Sequence, residues 1–510
     1  MNTRPIVGTI PASGGPDPRS TRITGVGTVL FGVFFLLGSL TILYPSYVLE
    51  CFAAFAAVGF TWMALRYLRS TGLETWQIIL ITALTGYILL NYGFENLTIH
   101  LGLPIIISYV LMFSSLFLVA FSRPQWFMRA QKEPAVRCLL ALLVLSFFHL
   151  ILDVPTYGFY AIRDASMFFD GLFVILGLLW AMKGRNGVIP LMKWLTVVLL
   201  LNLAYSYTFP WSEKIAAWSP RSGVFLQIPL LGNYRGNANF LLLGALFYLF
   251  LARTVVRWPR WILVLLAAAQ LFGLAIHQLR GLYVALGVVL ILFVLLGETR
   301  KSAKLLFILS PAIAAVLLLT TLGIEIQGRI GPVKSDFFKE HFRSISGAEG
   351  TPGSALQGRV DMYQQAFQHI RAHPVAGEGF GMVLVDFTDE DKPGTVAVRQ
   401  PHNSTVSVLA RLGAIGLVVW LAFHFYVLKS FFYALRQRRY WDKQLAELLV
   451  WLFMVYVIYM IEASLEAGFE FPSGAFPFYF FVGLALGLIR YVPKGKQKPA
   501  AASSLAVVAV

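Results

Sequence analysis

The 510-residue chain is 58% apolar and 13% charged, with a mean hydropathy of +0.71. A soluble globular chain carries about 25% charged residues, so this composition excludes a water-soluble domain and requires a bilayer as solvent. The net charge of +16 does not indicate nucleic acid, because the basic residues fall in short clusters between apolar runs rather than in one stripe.

Residues 1–22 are polar, rich in Pro and Gly, and lack an A-x-A-like cleavage site, which predicts a cytoplasmic tail ahead of an uncleaved anchor. Apolar runs follow at 24–46, 49–66, 76–95, 103–122, 138–153, 166–182, 188–209, 237–252, 261–277, 281–297, 305–322, 403–428, 445–466 and 475–490. At 1.5 Å per residue, about 20 residues cross roughly 30 Å of hydrocarbon. The expected fold is therefore an all-α integral membrane protein, a polytopic bundle of twelve to fourteen transmembrane helices. About eleven spans fall in 23–322 and three in 403–490, and 491–510 forms a second cytoplasmic tail.

Threading the spans alternately from an inside N-terminus puts most of the arginines and lysines in inside loops, as around Arg129, Arg257, Lys301 and Arg438. The same parity places residues 323–402, a polar stretch between two spans, outside as a periplasmic loop region. Within it a Gly/Ser-rich linker, Ser346 to Gly358, precedes Arg359 to His373. There Val360, Tyr363, Phe367 and Ile370 recur on one face of an expected amphipathic helix lying on the membrane or the bundle. Pro374 ends it, and Gly377, Gly379 and Gly381 follow. Cys51 and Cys138 lie in or beside apolar runs, so no disulfide and no cysteine metal site is expected in the loop.

The residues able to carry chemistry gather at the outer face. His402 begins a span there, where an imidazole can take a proton near neutral pH or simply cap a helix. Gly413 and Gly416 fall within about 20° and 40° of His402 on an ideal helix, leaving a close contact or a groove beneath it, with Arg411 on the opposite face. Arg280, in His277-Gln278-Leu279-Arg280-Gly281, is a positive charge at an outer tip, either held by a partner or snorkelling. Arg359 presents its fork near the start of the amphipathic helix, suited to a phosphate or simply solvated. Arg235 is a weaker third cation. Asp386, Asp389, Glu390 and Asp391 read as a solvated turn, whereas Glu462, Glu466 and Glu470 are candidate partners for Arg280 or Arg411. No HExxH, DxD pair, P-loop or GxSxG occurs in a suitable context.

At His402 the chain resembles the bacterial O-antigen ligases, whose motif is His, then Asn, Ser or Gln, nine residues, and Gly-x-x-Gly. Here it reads His402-Asn403, nine residues, Gly413-Ala414-Ile415-Gly416. Arg280-Gly281 opening a span, and Arg359 opening a helix that ends in His373-Pro374-x-x-Gly377-x-Gly379-x-Gly381, fit the wider ligase and polymerase superfamily. Leu417-Val418 replace the usual threonines. The resemblance implies a Gram-negative inner-membrane glycosyltransferase. Its donor would be undecaprenyl pyrophosphate-linked O-antigen and its acceptor a sugar hydroxyl of lipid A–core, with membrane lipids around it and no metal or other cofactor. It assigns His402 as the catalytic base, Arg280, Arg359 and Arg235 to the pyrophosphate, and Asn403, Gly413 and Gly416 to support. An O-antigen polymerase and a protein O-oligosaccharyltransferase share the donor. A transporter or lipid flippase would instead place its ionisable groups near the bilayer midplane.

Overall fold

The computed structural model describes residues 72–101, 103–224, 227–234, 236–322, 326–329, 332–333, 355–386 and 399–491. The expected spans 24–46 and 49–66, Arg235, most of the Ser346–Gly358 linker, and Asp389, Glu390 and Asp391 lie outside the described residues.

Each of the other twelve apolar runs falls on a helix. In chain order these are α1 (Thr75–Leu90), α2 (Tyr92–Glu95), α3 (Ile107–Ser122), α4 (Pro124–Ala130), α5 (Pro134–Tyr157), α6 (Phe159–Phe169), α7 (Phe173–Ala181), α8 (Arg185–Ser206), α9 (Ser212–Trp218) and α10 (Asn237–Leu246). They continue with α11 (Arg260–His277), α12 (Arg280–Leu295), α13 (Thr299–Thr321), α14 (Ala355–Ala372), α15 (Ser404–Arg436), α16 (Lys443–Leu465) and α17 (Pro472–Tyr491). Among the described residues eight helical segments are long and apolar enough to cross a membrane, or nine with the bent pair α3–α4. The only strands among the described residues are three short hairpins, β1–β2 (Thr98–Leu101, Leu103–Ile106), β3–β4 (Arg221–Ser222, Ile228–Pro229) and β5–β6 (Ile326–Gln327, Pro332–Val333). The protein is thus an all-α, multi-pass membrane protein. The run at 103–122 opens with strand β2, so its helix starts at Ile107.

Packing of the interior depends on small residues at helix crossings, because lipid offers no hydrophobic drive between helices. Where α7 crosses α17, a Cβ on Gly177 would collide with the Phe480 carbonyl, and one on Gly483 with the Val174 carbonyl. The close backbones bring the Phe173 and Phe476 rings to 3.7 Å between centroids. At the start of α10, Asn237 Nδ2 donates to the Ile88 and Leu89 carbonyls at 3.1 and 3.0 Å and to Asn202 Oδ1 at 2.7 Å. One amide side chain thereby satisfies carbonyls that the end of α1 leaves open.

Two expectations change at the outer loop. On α14 the face packed on the bundle is Met362, Ala366 and Ile370, against Leu384, Val385 and Ala410, whereas Val360 and Phe367 stay exposed. Tertiary packing has selected a stripe next to the one predicted by spacing. Second, α15 is not one ideal helix. Gly413 takes φ 62°, ψ −165°, and the chain leaving α14 fills the break. The Glu378 and Gly379 amides donate to the Ala410 and Arg411 carbonyls at 2.8 and 3.0 Å, and the Ala414 and Ile415 amides donate to the Pro374 and Val375 carbonyls at 2.9 and 3.3 Å. Gly413 and Gly377 permit this exchange, since a Cβ on either would strike the other segment's backbone. The 100° count from His402 therefore fails beyond Gly413. The glycine face meets a loop rather than an open groove.

A methyl at Gly413 faces both a left-handed φ and a backbone collision. Gly413→Ala is expected to cost at least about 1–3 kcal/mol, whereas Gly287→Ala on α12, with open space around it, gains up to about 1 kcal/mol from helix propensity. Thermal unfolding of the purified protein in detergent reads both changes, and equal melting temperatures for the two variants would refute this account of the break.

Candidate functional site

Four helices begin at one place. The first residues of α10 (Gly236, Asn239), α12 (Arg280, Gly281) and α17 (Ser473, Gly474), and His402 just ahead of α15, all line a cavity of about 1610 Å³. Helix N-termini turn positive dipole ends toward it, a field that favours an anion; the first amides of α15 and α17 are already accepted by Asn403 Oδ1 and Glu95 Oε2. Arg280, Arg329 and Arg359 line the same wall, and Ile105, Val110 and Phe113 provide an apolar one.

Three non-glycine residues have positive φ among the described residues, Asn91 (46°), Gln278 (53°) and His402 (50°), and all three line this cavity. Such left-handed positions cost roughly 1–3 kcal/mol each and persist only where the surroundings hold them. For His402 the hold is local. It is not in the first turn of α15, as expected, but two residues before it. Asn403 is the N-cap, its Oδ1 accepting from the Thr405 and Val406 amides at 3.0 and 3.1 Å while its Nδ2 donates to the Ser464 carbonyl at 3.1 Å. Asn403 thus fastens the start of α15 to the end of α16.

Glu466, the residue after α16, is the centre of the polar wall. His402 Nδ1 lies 3.1 Å from Glu466 Oε2, and Arg359 Nη2 donates to Glu466 Oε1 at 3.4 Å. Sequence reasoning offered the three glutamates to Arg280 or Arg411; Glu470 acts on Arg411 electrostatically, and the glutamates also have uncharged partners. Glu462 accepts from Asn239 Nδ2, and Glu470 accepts from Ser404 Oγ at 2.9 Å and from Ser407 Oγ. Arg411, 2% exposed at its side chain, pairs with Asp164 of α6 at 2.8 Å. Arg359 stands one turn inside α14 rather than beside its first amides. Gly413 and Gly416 lie along α15 beyond the cavity lining.

The structure brings together Arg280, Arg359 and His402, and adds residues that the sequence did not single out. Arg329, on the β5–β6 hairpin, is held by its amide to the Ile276 carbonyl at 3.1 Å and by its Nε to the His277 carbonyl at 3.2 Å. Arg163 of α6 and Arg399, three residues before His402, complete the cationic lining. Among the described residues no group of three or more His, Cys, Asp or Glu side chains is arranged to hold a metal ion.

Fold and cavity define a multi-pass membrane protein with a chamber lined by several arginines and by apolar side chains. Residues 263–421 match the family model described as O-antigen ligase, so this stretch of the chain is similar to that family. No curated protein matches the chain.

Burial pushes the Glu470 carboxyl above its usual range, against the opposing effect of Ser407 and Ser404. A carboxyl raised on folding contributes stability below its ordinary value of 4.5 that is lost as pH rises through the folded value. Glu470→Gln, which is neutral throughout, is expected to melt higher than the parent at neutral pH, with the difference closing below pH 4.5. Melting curves across pH test this, and a deficit at neutral pH would contradict it.

Proposed function

We propose that this protein is an O-antigen ligase of the Gram-negative inner membrane. It moves polysaccharide from undecaprenyl pyrophosphate to a sugar hydroxyl of lipid A–core on the periplasmic face, without metal and with inversion. The observation that carries this reading is Glu466 bridging His402 and Arg359 in a cavity that also holds Arg280.

The chemistry follows from those contacts. An ionised Glu466 only accepts hydrogen bonds, so it selects the imidazole tautomer with the proton on Nδ1 and leaves Nε2 to take the acceptor's proton. As that proton leaves, the acceptor oxygen attacks the anomeric carbon from the face opposite the pyrophosphate, and the bond from the sugar to the pyrophosphate oxygen breaks. Charge then grows on the leaving group, where Arg280, Arg359 and the helix N-termini are already oriented to receive it. Arg235 is assigned to the same anion as a third cation. Asn403 keeps His402 in place, Gly413 lets the loop and α15 meet closely, and Gly416 leaves room for the Leu412 side chain. A lipopolysaccharide gel of a deletion strain separates this reaction from its nearest rivals. Uncapped core with accumulated lipid-linked polymer indicates ligase, and core carrying one repeat indicates polymerase.

His402→Ala is expected to slow transfer by roughly 10²–10⁴-fold while leaving folding intact. Lysine reproduces the charge of arginine but not its fork, so Arg→Lys at 280 or 359 is expected to be nearly as damaging as Arg→Ala. Purified protein assayed with and without EDTA completes this test, and near-normal transfer by the His402 variant would remove it from the base role.

Topology is testable separately. With Cys51 and Cys138 replaced, a cysteine at exposed Val375 is expected to react with an impermeant maleimide in spheroplasts. One at exposed Arg300, at the start of α13, should stay protected until the membrane is opened. The opposite pattern would put His402 in the cytoplasm, away from a donor already in the outer leaflet.

A further inference from the structure

The cavity contains a second set of cations that the pyrophosphate reading leaves unused. Arg163 and Arg399 both line it, with the Tyr160 ring between them, 5.4 Å from the Arg163 guanidinium carbon and 4.5 Å from that of Arg399. One carboxylate serves this region. Asp164 Oδ1 accepts from Arg163 Nε at 3.1 Å and Nη2 at 2.8 Å, while Oδ2 accepts from Arg411 Nη2 at 2.8 Å and the Gly381 amide at 3.1 Å. Arg399 Nη2 donates to the Gly381 carbonyl at 2.6 Å, and its buried Nε–H has no partner among the described residues.

Three guanidinium groups that repel one another thus meet at the Asp164 carboxylate. Glu470 also faces Arg411, but its burial favours the neutral form. Desolvation, then the nearby Arg163 charge, hold the Arg399 guanidinium below its usual range, with Asp164 opposing them. Positive charge gathered against its own repulsion has a use when an anion is to be bound. The neighbouring surface narrows the choice of anion. Phe159 and Ile162 flank Arg163 on α6 and line the cavity with Phe113 and Leu150, so the cations stand at the edge of an apolar wall. That is the arrangement a lipid-anchored anion requires, with its charge on the arginines and its chains along the wall.

We propose that Arg163 and Arg399 form a second anion subsite, which holds a phosphate group carried by the glycolipid acceptor. This rests on the two-substrate transfer proposed above. The donor brings one diphosphate, and Arg359, assigned to it, shares Glu466 with His402. The second set is organised instead through Asp164 and Arg411, and the remaining anion in a two-substrate reaction is on the acceptor.

The test uses the full chain in nanodiscs, the Arg399→Gln and Arg399→Lys variants, and a bis-phosphorylated glycolipid with its enzymatically dephosphorylated form. Loss of a charge-assisted hydrogen bond is expected to weaken binding of the phosphorylated lipid, and raise the acceptor KM, by about 10–100-fold in Arg399→Gln. The donor KM should not move. Dephosphorylated lipid should bind the parent as weakly as phosphorylated lipid binds the Gln variant. Should Arg399→Gln fail to fold, Arg399→Lys serves, because it must still prefer the phosphorylated lipid. Equal binding of both lipids by the parent overturns the proposal. So does a rise confined to the donor KM, which would return these arginines to the diphosphate, or full displacement of the lipid by equimolar inorganic phosphate, which would mark a free-phosphate site. If the parent transfers no glycan yet binds the phosphorylated lipid through Arg399, the reaction falls and the phosphate subsite stands.

Discussion

The ion pair between Asp164 and Arg411 is the constraint on which the cavity end of the bundle depends. Both side chains are buried, and removing one partner from such a pair typically costs about 3–5 kcal/mol because a lone charge is left behind. The pair joins α6 to α15, and each member also holds the glycine loop, Arg411 through the Gly379 carbonyl at 3.1 Å and Asp164 through the Gly381 amide. Asp153 of α5 adds a hydrogen bond from the Phe380 amide at 2.7 Å. The rotation of α15 about its axis is therefore fixed by contacts to α6 and to the glycine loop. His402 and Arg399, which lead into that helix, inherit the setting.

On the cavity side, charge is balanced more loosely. Glu466 is shared between a histidine and an arginine, while Glu462 and Glu470 are occupied by an amide and two hydroxyls. The four helix starts add fixed dipoles that need no counter-charge of their own. The polar wall is prepared for negative charge before any ligand arrives, which is the condition under which electrostatic stabilisation is most effective.

Much of this was legible in the chain. Twelve of the apolar runs are helices because nothing else satisfies a backbone in hydrocarbon. His402, Arg280 and Arg359 were recognisable because each is a titratable or basic group at what the charge pattern predicts to be an outer boundary. The helical face beneath His402 was not legible, since the count assumes continuous dihedrals and Gly413 departs from them. The packed stripe of α14 was misjudged for a related reason: Met362 and Ala366 are no more apolar than Val360 and Phe367, and only the neighbours Leu384 and Ala410 decide between the faces. Arg163 and Asp164 lie at the edge of a span, where adjacent opposite charges look self-sufficient. A signal was nevertheless present, because an ionisable pair at membrane depth is a functional candidate by default.

The break in α15 has one more implication. Its backbone groups around Gly413 are satisfied by residues 374–379, so part of this helix's hydrogen-bond ladder belongs to a segment more than thirty positions upstream. Two stretches that look like separate motifs are, physically, halves of one joint. A bulkier residue at either position changes the space available at the other, so neither stretch can drift alone, and descendants of this chain would have to alter both together or neither.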